Sequence, residues 1–250
     1  MRLLFKALCL ALVCQLSYAI TPVGAEVNLY GGISKVDGGQ KSVFFNSAFP
    51  EHDTLVKDSE SNYNFIGGGG IAYNFLMDEN NSNSLIHDVS IGLDYYGFNT
   101  SVTGDVLQFG VLHFNNFDYD FNIETQRLML DAQLNFRPLK NKMMLFVVAG
   151  IGAANVKAQY YDTPNLVHGT SGGGINLPSN TEHNTAYSVG AGFRIPVTQK
   201  IHVSLSYLYT DLGSATTGSA SIPFASGTIQ PVTMQVHTQT GLVGINYAFH

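Results

Sequence analysis

The chain has 250 residues, of which 45% are hydrophobic and 12% are charged. Soluble domains average about a quarter charged residues, so this chain is poor in charge. The formal net charge of −6 argues against a nucleic-acid partner, because nucleic acids bind basic surfaces. The 26 glycines, 13 tyrosines and 16 phenylalanines, with no tryptophan, favour a β-rich architecture.

The N-terminus has the organisation of a secretory signal peptide. A positively charged start precedes a short apolar stretch at residues 8–16, and Ala19 ends a small-x-small cleavage pattern. We predict that residues 1–19 are removed, with Ala25 as the alternative cleavage site, and that residues 20–250 form one domain. No later apolar run reaches the roughly 20 residues that a membrane helix requires.

Cleavage changes the chemistry available to the mature chain. Both cysteines, Cys9 and Cys14, are lost with the signal peptide, so we expect no disulfide, no thiol nucleophile and no cysteine metal site. Loss of Arg2 and Lys6 leaves 10 basic and 18 acidic residues, which gives a net charge of −8. The mature chain is therefore more acidic than the full sequence.

From Gly24 onward, apolar and polar residues alternate with the two-residue period of β-strands. In the clearest segment, Tyr63, Phe65 and Ile71 share one face. The fifth segment is apolar on both faces in its middle, and the eighth changes phase near Thr240, which we attribute to a β-bulge. The pattern predicts eight strands, at residues 26–36, 62–77, 88–98, 128–136, 143–159, 185–195, 201–209 and 232–249.

The connections between these strands alternate in length. The short ones are residues 78–85, 138–142 and 196–200. The long ones are residues 37–60, 99–118, 160–184 and 213–231. Bacterial outer-membrane barrels have short periplasmic turns and long extracellular loops. We therefore predict four extracellular loops and periplasmic chain ends.

The two faces of the strands distinguish a membrane barrel from a soluble one. Inward positions are polar or small and outward positions are apolar, the reverse of a soluble barrel. In lipid a sheet must also close to pair its backbone groups. We predict an all-β, eight-stranded antiparallel up-and-down barrel in the outer membrane of a Gram-negative bacterium, surrounded by lipid and lipopolysaccharide. The alternative is a soluble periplasmic barrel or sandwich.

The C-terminal segment carries a family resemblance. Gly244, Tyr247 and Phe249 resemble the terminal-strand signal of outer-membrane barrels. That resemblance implies recognition by the barrel-insertion machinery. Leu242 and His250 depart from the usual pattern, which implies less efficient recognition.

A second resemblance lies in residues 190–194 and 207–213, which are similar to segments of opacity-type and OmpA-like eight-stranded surface proteins. That superfamily contains adhesins, structural barrels, small pores and a few lipid-modifying enzymes. The resemblance implies the barrel fold along the mature chain, and it does not choose among these roles.

Charged residues at inward positions predict a polar network in the barrel interior. An eight-stranded barrel is just wide enough for its own side chains to fill it, so these charges would pair inside it. A narrow ion path is the functional alternative. The predicted members are Asp88, Asp94, Arg127, Asp131, Arg137, Lys157 and Arg194.

Three motifs suggest a catalytic, phosphate-binding or metal site, but their positions in the predicted fold argue against each one. His202 and Ser204 resemble the dyad of lipid A deacylases, but they lie at the periplasmic end and face inward. Glycine runs at residues 67–70 and 172–174 open no helix, so they are not phosphate loops. Five histidines match no compact metal site: His52, His113, His168, His183 and His237. We expect no catalytic residue, no metal site and no cofactor.

Aromatic residues in the long loops form a candidate contact surface for a host or environmental ligand. They are Phe44, Phe45, Phe49, Phe114 and Phe117. Such residues either pack under the loops or mark an interaction site.

These observations favour a small barrel that acts through its loops, in adhesion, environmental contact or envelope integrity. A porin-like channel for ions or small solutes is the alternative. A lipid-modifying enzyme is a remote third hypothesis, because no outward polar cluster is found at the outer leaflet.

Overall fold

The computed structural model describes residues 21–38, 41–47, 50–57, 63–77, 85–139, 142–165, 173–222 and 226–249. The predicted signal peptide, Phe49 and His168 lie outside these ranges. Within them, no helix is long and apolar enough to cross a membrane. In chain order the strands are β1 (Thr21–Gly38), β2 (Lys41–Ser47), β3 (Glu51–Lys57), β4 (Tyr63–Leu76), β5 (Ile86–Leu107), β6 (Asn115–Phe136), β7 (Met144–Pro164), β8 (Asn176–Pro196), β9 (Ile201–Thr216), β10 (Ala220–Ser221), β11 (Gly227–Ile229) and β12 (Thr233–Phe249).

Eight of these strands form a closed antiparallel ring, in the order β1, β4, β5, β6, β7, β8, β9 and β12. The ring closes where β12 pairs with β1, from Ala25 opposite Phe249 to Gly38 opposite Val236. Closure leaves no free edge, so the ladder groups pair within the protein. The predicted eight-stranded up-and-down barrel is confirmed.

The two ends of the barrel differ. At the short-turn end, where β1 begins and β12 ends, the strands are joined by brief connections such as residues 197–200. At the long-loop end, the β2–β3 hairpin pairs with β5, with Thr54 opposite Leu107, and β11 pairs with β2. Much of the predicted loop sequence is therefore strand, which extends the barrel wall.

Apolar side chains face outward in the short-turn half of the barrel and inward in the long-loop half. On β12, Val243 and Ile245 face outward near the short-turn end, whereas Met234 and Val236 face inward near the long-loop end. Pairing of β12 with β1 is continuous through Thr240, so the bulge predicted there is wrong. The apolar residues change face because the outer part of the strand has water, not lipid, around it.

A bulge does occur on the neighbouring strand β9. Its pairing with β12 shifts between Asp211 and Ser214, where Leu212 and Gly213 lie opposite the single residue Val236. Gly213 has a φ of 78°, which a residue without a side chain adopts most readily. The bulge keeps Leu212 buried while the strand continues beyond the apolar band.

A continuous apolar band surrounds the short-turn half of the barrel. Its members are outward residues with large exposed surfaces, including Leu29, Ile71, Leu93, Leu130, Ile151, Val189, Leu205 and Ile245. Tyr95, Tyr187 and Tyr209 lie at its upper limit, and Tyr247 and Phe249 at its lower limit. Such aromatic belts mark the two edges of the hydrocarbon layer.

A charged side chain in this band should be far more costly than one above it. We expect Leu130→Arg to lower the free energy of unfolding in lipid vesicles by about 2–4 kcal/mol. Gln159→Arg, on the outward face of β7 beyond the band, should lower it by less than about 0.5 kcal/mol. Reversible urea titration measures both, and equal losses would contradict the position of the band.

Candidate functional site

A buried ion pair lies inside the short-turn end of the barrel. Arg194 on β8 donates two hydrogen bonds to Glu26 on β1, from Nη1 to Oε2 and from Nη2 to Oε1, each 3.0 Å long. Only 9% and 2% of their side-chain surfaces are exposed. Because the guanidinium and carboxylate are joined by two parallel bonds, the pair fixes two non-adjacent strands across the lumen.

Amide and hydroxyl groups surround this ion pair. Asn246 donates to Asn28 over 2.8 Å, and Asn74 donates to Glu26 over 3.5 Å. The gap between the side chains in this part of the lumen is about 50 Å³, which holds a few water molecules. We call this group the lower network, and its members are Glu26, Asn28, Asn74, Asp88, Ser90, Asn135, Arg194 and Asn246.

A second polar layer lies above the lower network. The rings of Tyr30 and Tyr96 stack with centroids 5.4 Å apart, and the guanidinium carbon of Arg127 lies 4.7 Å from the Tyr96 centroid. Asp94 and Asp131 are buried neighbours of this cluster. A cation over an aromatic face in a desolvated site is stabilised by the ring quadrupole. This layer fills the middle of the lumen.

Two inward glycines make room for these carboxylates. A methyl group at Gly70 would lie 2.0 Å from an oxygen of Asp94, and one at Gly150 would lie 1.8 Å from an oxygen of Asp131. Ser188 donates to the same Asp131 oxygen over 3.2 Å. The interior glycines therefore serve close packing, as expected for glycines in a strand.

The seven charged residues predicted for the interior do not all lie there. The structure places five of them inward: Asp88, Asp94, Arg127, Asp131 and Arg194. Lys157 faces outward and pairs with Glu124 at 3.6 Å, which corrects the prediction. Lys157 lies on the same outward face of β7 as Ile151. The sequence did not reveal this face, because the middle of the strand is apolar on both sides. Arg137 is exposed beyond the last residue of β6, Phe136.

Sequence reasoning missed Glu26, the partner of Arg194. The sequence does indicate an inward position for Glu26. Glu26, Asn28 and Ser34 lie on one face of β1, and Leu29 and Ile33 lie on the other. The missing information was the pairing itself, since β1 and β8 are not neighbours in the ring.

An apolar plug, which we call the upper core, closes the lumen above the two polar layers. Its inward side chains are buried among one another. They include Val36, Ile66, Phe98, Val102, Phe121, Ile123, Val156, Met234 and Val236. Phe121 and Val156 have no exposed surface. Together with the polar layers, the upper core fills the lumen along the described strands.

A cavity of about 280 Å³ lies above the upper core, at the long-loop end. We call it the outer cavity. Apolar walls come from Phe45, Val106, Phe117, Ile175, Ile222 and Ile229. Its polar lining includes Glu51, Asp53 and Asp162. The predicted loops therefore meet around a single mixed apolar and acidic space.

Two carboxylates of the outer cavity are buried and hold loop backbone. Asp53 accepts a hydrogen bond from the Phe109 N–H at 3.0 Å, and burial raises its pKa to about 7 against that bond. Asp162 accepts from the Ile175 N–H at 2.6 Å and from the Tyr160 hydroxyl at 2.9 Å. Burial also raises the pKa of Asp162.

The predicted loop aromatics divide into two groups. Phe44 and Phe114 are exposed, as a contact surface requires. Phe45 and Phe117 pack against the upper core and line the outer cavity. Phe49 lies outside the described residues. Phe45 and Phe117 therefore pack beneath the loops, and Phe44 and Phe114 remain the candidates for a contact surface.

An exposed apolar segment lies at the tip of the β5–β6 connection, and Phe114 was its only apolar member identified from sequence. Phe109 is 62% exposed and Leu112 is 84% exposed, and Val111 and Phe114 are also exposed. Phe109 has a φ of 52°, a conformation that is uncommon for a bulky residue. We call residues 108–114 the tip segment. In the sequence, this segment is marked by four large apolar residues within six positions: Phe109, Val111, Leu112 and Phe114.

The residues of the C-terminal signal lie on the closing strand. Tyr247 and Phe249 face outward at the edge of the apolar band, with ring centroids 4.9 Å apart. Gly244 faces inward, and a side chain there would meet Ser204 and the Tyr30 ring. This arrangement presents the two aromatic side chains on the outer surface of β12, the strand that closes the ring with β1.

His202 and Ser204 face inward near the start of β9, away from lipid. Within the described ranges, no three His, Cys, Asp or Glu side chains lie close enough to hold a metal ion.

Comparison with known proteins agrees with this geometry. Residues 5–249 match the family model described as the outer membrane protein beta-barrel domain. The chain belongs to this family. The short-turn end of this outer-membrane barrel is therefore periplasmic and the long-loop end is extracellular. A search of curated proteins gives no match.

Solved structures of other outer-membrane proteins resemble this barrel. OprG from Pseudomonas aeruginosa is 16% identical with a TM-score of 0.50, over 92% of this chain and 98% of that one. Neisserial surface protein A is 11% identical with a TM-score of 0.47, over 91% and 99%. The attachment invasion locus protein Ail of Yersinia pestis is 14% identical with a TM-score of 0.38, over 91% and 100%. At these identities the likeness concerns the fold alone.

Breaking the buried ion pair should be much more costly than breaking the exposed one. Arg194→Ala leaves the Glu26 carboxylate buried without its partner, so we expect a loss of about 3–5 kcal/mol in the free energy of unfolding. Lys157→Ala removes the exposed partner of Glu124 and should cost at most about 1 kcal/mol. Urea titration in lipid vesicles compares them, and equal costs would show that the lower network does not hold the barrel together.

The outer end should lose stability as the pH rises. A folded-state pKa above the ordinary value means that folded Asp53 binds more protons than unfolded Asp53 between about pH 4 and pH 7. Stability is therefore greatest below this window and falls through it, by an amount on the order of 1–3 kcal/mol. Hydrogen exchange of β2 and β3 amides, corrected for intrinsic rates, measures this change.

A variant isolates the contribution of this carboxyl. Asp53→Asn keeps the acceptor for the Phe109 N–H and removes the charge, so the pH dependence should become shallower. Asp37→Asn, at an exposed site at the end of β1, should leave it unchanged. If Asp53→Asn kept the full dependence, a different group would be responsible.

Proposed function

We propose that this outer-membrane barrel is a surface-contact protein, which presents an apolar tip segment to a partner outside the cell and conducts no solute. The observation that carries the proposal is the tip segment held exposed above a filled lumen. The same strands continue from lipid into the extracellular space, so they act as a rigid support for that segment.

The tip segment is held outward by its backbone. Phe109 adopts a left-handed conformation, and its N–H donates to buried Asp53. Gly110 follows with a φ of 68°. Residues held in sparsely populated conformations cluster at functional sites, because surrounding contacts must maintain them. An exposed apolar group that a specific turn keeps away from the nearby upper core is suited to contact with another surface.

The filled lumen argues against a channel. The lower network, the second polar layer and the upper core follow one another along the barrel, and eight strands enclose little more than their own side chains. The polar interior that suggested a pore is instead occupied by the Arg194–Glu26 pair, its surrounding amides and the stacked rings of Tyr30 and Tyr96. An enzymatic role has no support from the inward placement of His202 and Ser204.

Two measurements test the proposal. Purified protein in planar bilayers should show no discrete conductance steps, and reproducible steps would favour the channel hypothesis. Phe109→Ser/Leu112→Ser should reduce adherence of expressing cells to alkyl-coated beads several-fold, because the exposed apolar surface is removed. Leu139→Ser, an exposed leucine at the periplasmic end, is the matched control and should have no effect. Unchanged adherence in the tip variant would refute the contact role.

A further inference from the structure

We propose that the outer cavity binds a small organic cation, an ammonium group carried on an apolar body. The cavity lies beneath the tip segment and shares Asp53 with it, but the inference does not depend on what the tip segment contacts outside the cell. It rests on the shape of the cavity, its apolar walls and the two buried carboxylates at its lining.

The cavity has the size and surface of a small-molecule site. Its volume of about 280 Å³ lies just below the range typical of ligand pockets, about 300–1,000 Å³. Phe45, Phe117 and Ile229 supply aromatic and aliphatic walls from three different strands. Pockets of this kind combine an apolar lining with a few polar groups that orient the ligand. An aliphatic or aromatic body is the group that these walls would bury.

The charge of the lining is entirely negative among the described residues. Asp53 is 3% exposed and Asp162 is 6% exposed, and Glu51 lies beside them. No described Lys, Arg or His lines the cavity, and no described ion pair includes Asp53 or Asp162. Buried carboxylates are normally paired with a cation, because an unpaired buried charge is costly.

The hydrogen-bond donors to these two carboxylates carry no positive charge. Asp53 accepts from the Phe109 N–H, and Asp162 accepts from the Ile175 N–H and the Tyr160 hydroxyl. These donors are neutral, so they orient the carboxylates without compensating their charge. Burial and the neighbouring Glu51 raise the pKa of Asp53, because both make its charged form less favourable. An ammonium group between Asp53 and Asp162 would supply the compensation.

The lining also explains how binding would affect the loops. Asp53 belongs to β3 and contacts the tip segment, whereas Asp162 belongs to β7 and contacts Ile175 in the next loop. Ala220 and Ile222 come from the last extracellular connection. A ligand held by both carboxylates would therefore connect the β2–β3 hairpin to the connection between β7 and β8, and it would stabilise their arrangement.

Ligand-observed NMR on the folded barrel in lipid nanodiscs tests the proposal at pH 8, with hexylammonium as the probe. Hexanol and hexanoate share its chain length and differ in charge. We expect hexylammonium to bind at least ten-fold more tightly than hexanol and hexanoate to bind least. Empty nanodiscs supply the background from lipid partitioning.

Variants assign the binding to the outer cavity. Asp53→Asn/Asp162→Asn should weaken hexylammonium binding at least ten-fold and leave hexanol binding unchanged. Asp118→Asn/Asp120→Asn removes two carboxylates from the outward face of β6 and should have no effect. Ala220→Phe adds a ring at the cavity wall and should weaken both ligands. Heat-modifiability on a gel confirms that each variant is folded.

Two outcomes would overturn the proposal. One is equal affinity for hexylammonium and hexanol in the folded wild-type protein, which would mean that the carboxylates take no part. The other is equal loss of binding in the Asp118→Asn/Asp120→Asn control, which would mean that surface charge alone attracts the cation. Neither outcome affects the conductance and adherence tests of the contact role.

Discussion

The requirement that backbone polar groups pair within the protein in lipid determines most of this structure. It forces the sheet to close through β1 and β12, and closure creates an interior separated from lipid. Because the outer face must be apolar there, the polar side chains of each alternating strand point inward. Partners are then needed inside the barrel, as the bidentate pair of Arg194 and Glu26 with its surrounding amides illustrates.

Above the membrane the same wall obeys the opposite rule. Water pairs with the outward groups of β5 to β9, so apolar side chains are free to occupy the interior, as in a soluble protein. Phe121, Ile123 and Val236 show the result. The barrel thus contains a membrane half with a polar interior and an extracellular half with an apolar interior, joined by uninterrupted strands. The outer cavity forms where this second interior meets the loops.

Much of this fold is predictable from sequence because lipid imposes a strict alternation. The eight ring strands follow from it, since each crosses the band in one phase. The alternation gives no answer where a strand is apolar on both faces, which is why Lys157 was assigned to the wrong side. It also cannot reveal contacts across the ring, such as Glu26 with Arg194. Asp53 and Asp162 lay in sequence expected to be loop, and their burial depends on a hairpin and a strand extension.

The inverted outer half has a consequence for how the barrel is assembled. Outward carboxylates such as Asp105, Asp118 and Asp120 must travel from the periplasm to the cell exterior before the native state is reached. Each would meet hydrocarbon on an unassisted route, where polar groups are poorly solvated. Assembly must therefore carry the charged wall of the outer half across the hydrocarbon, in addition to closing the ring.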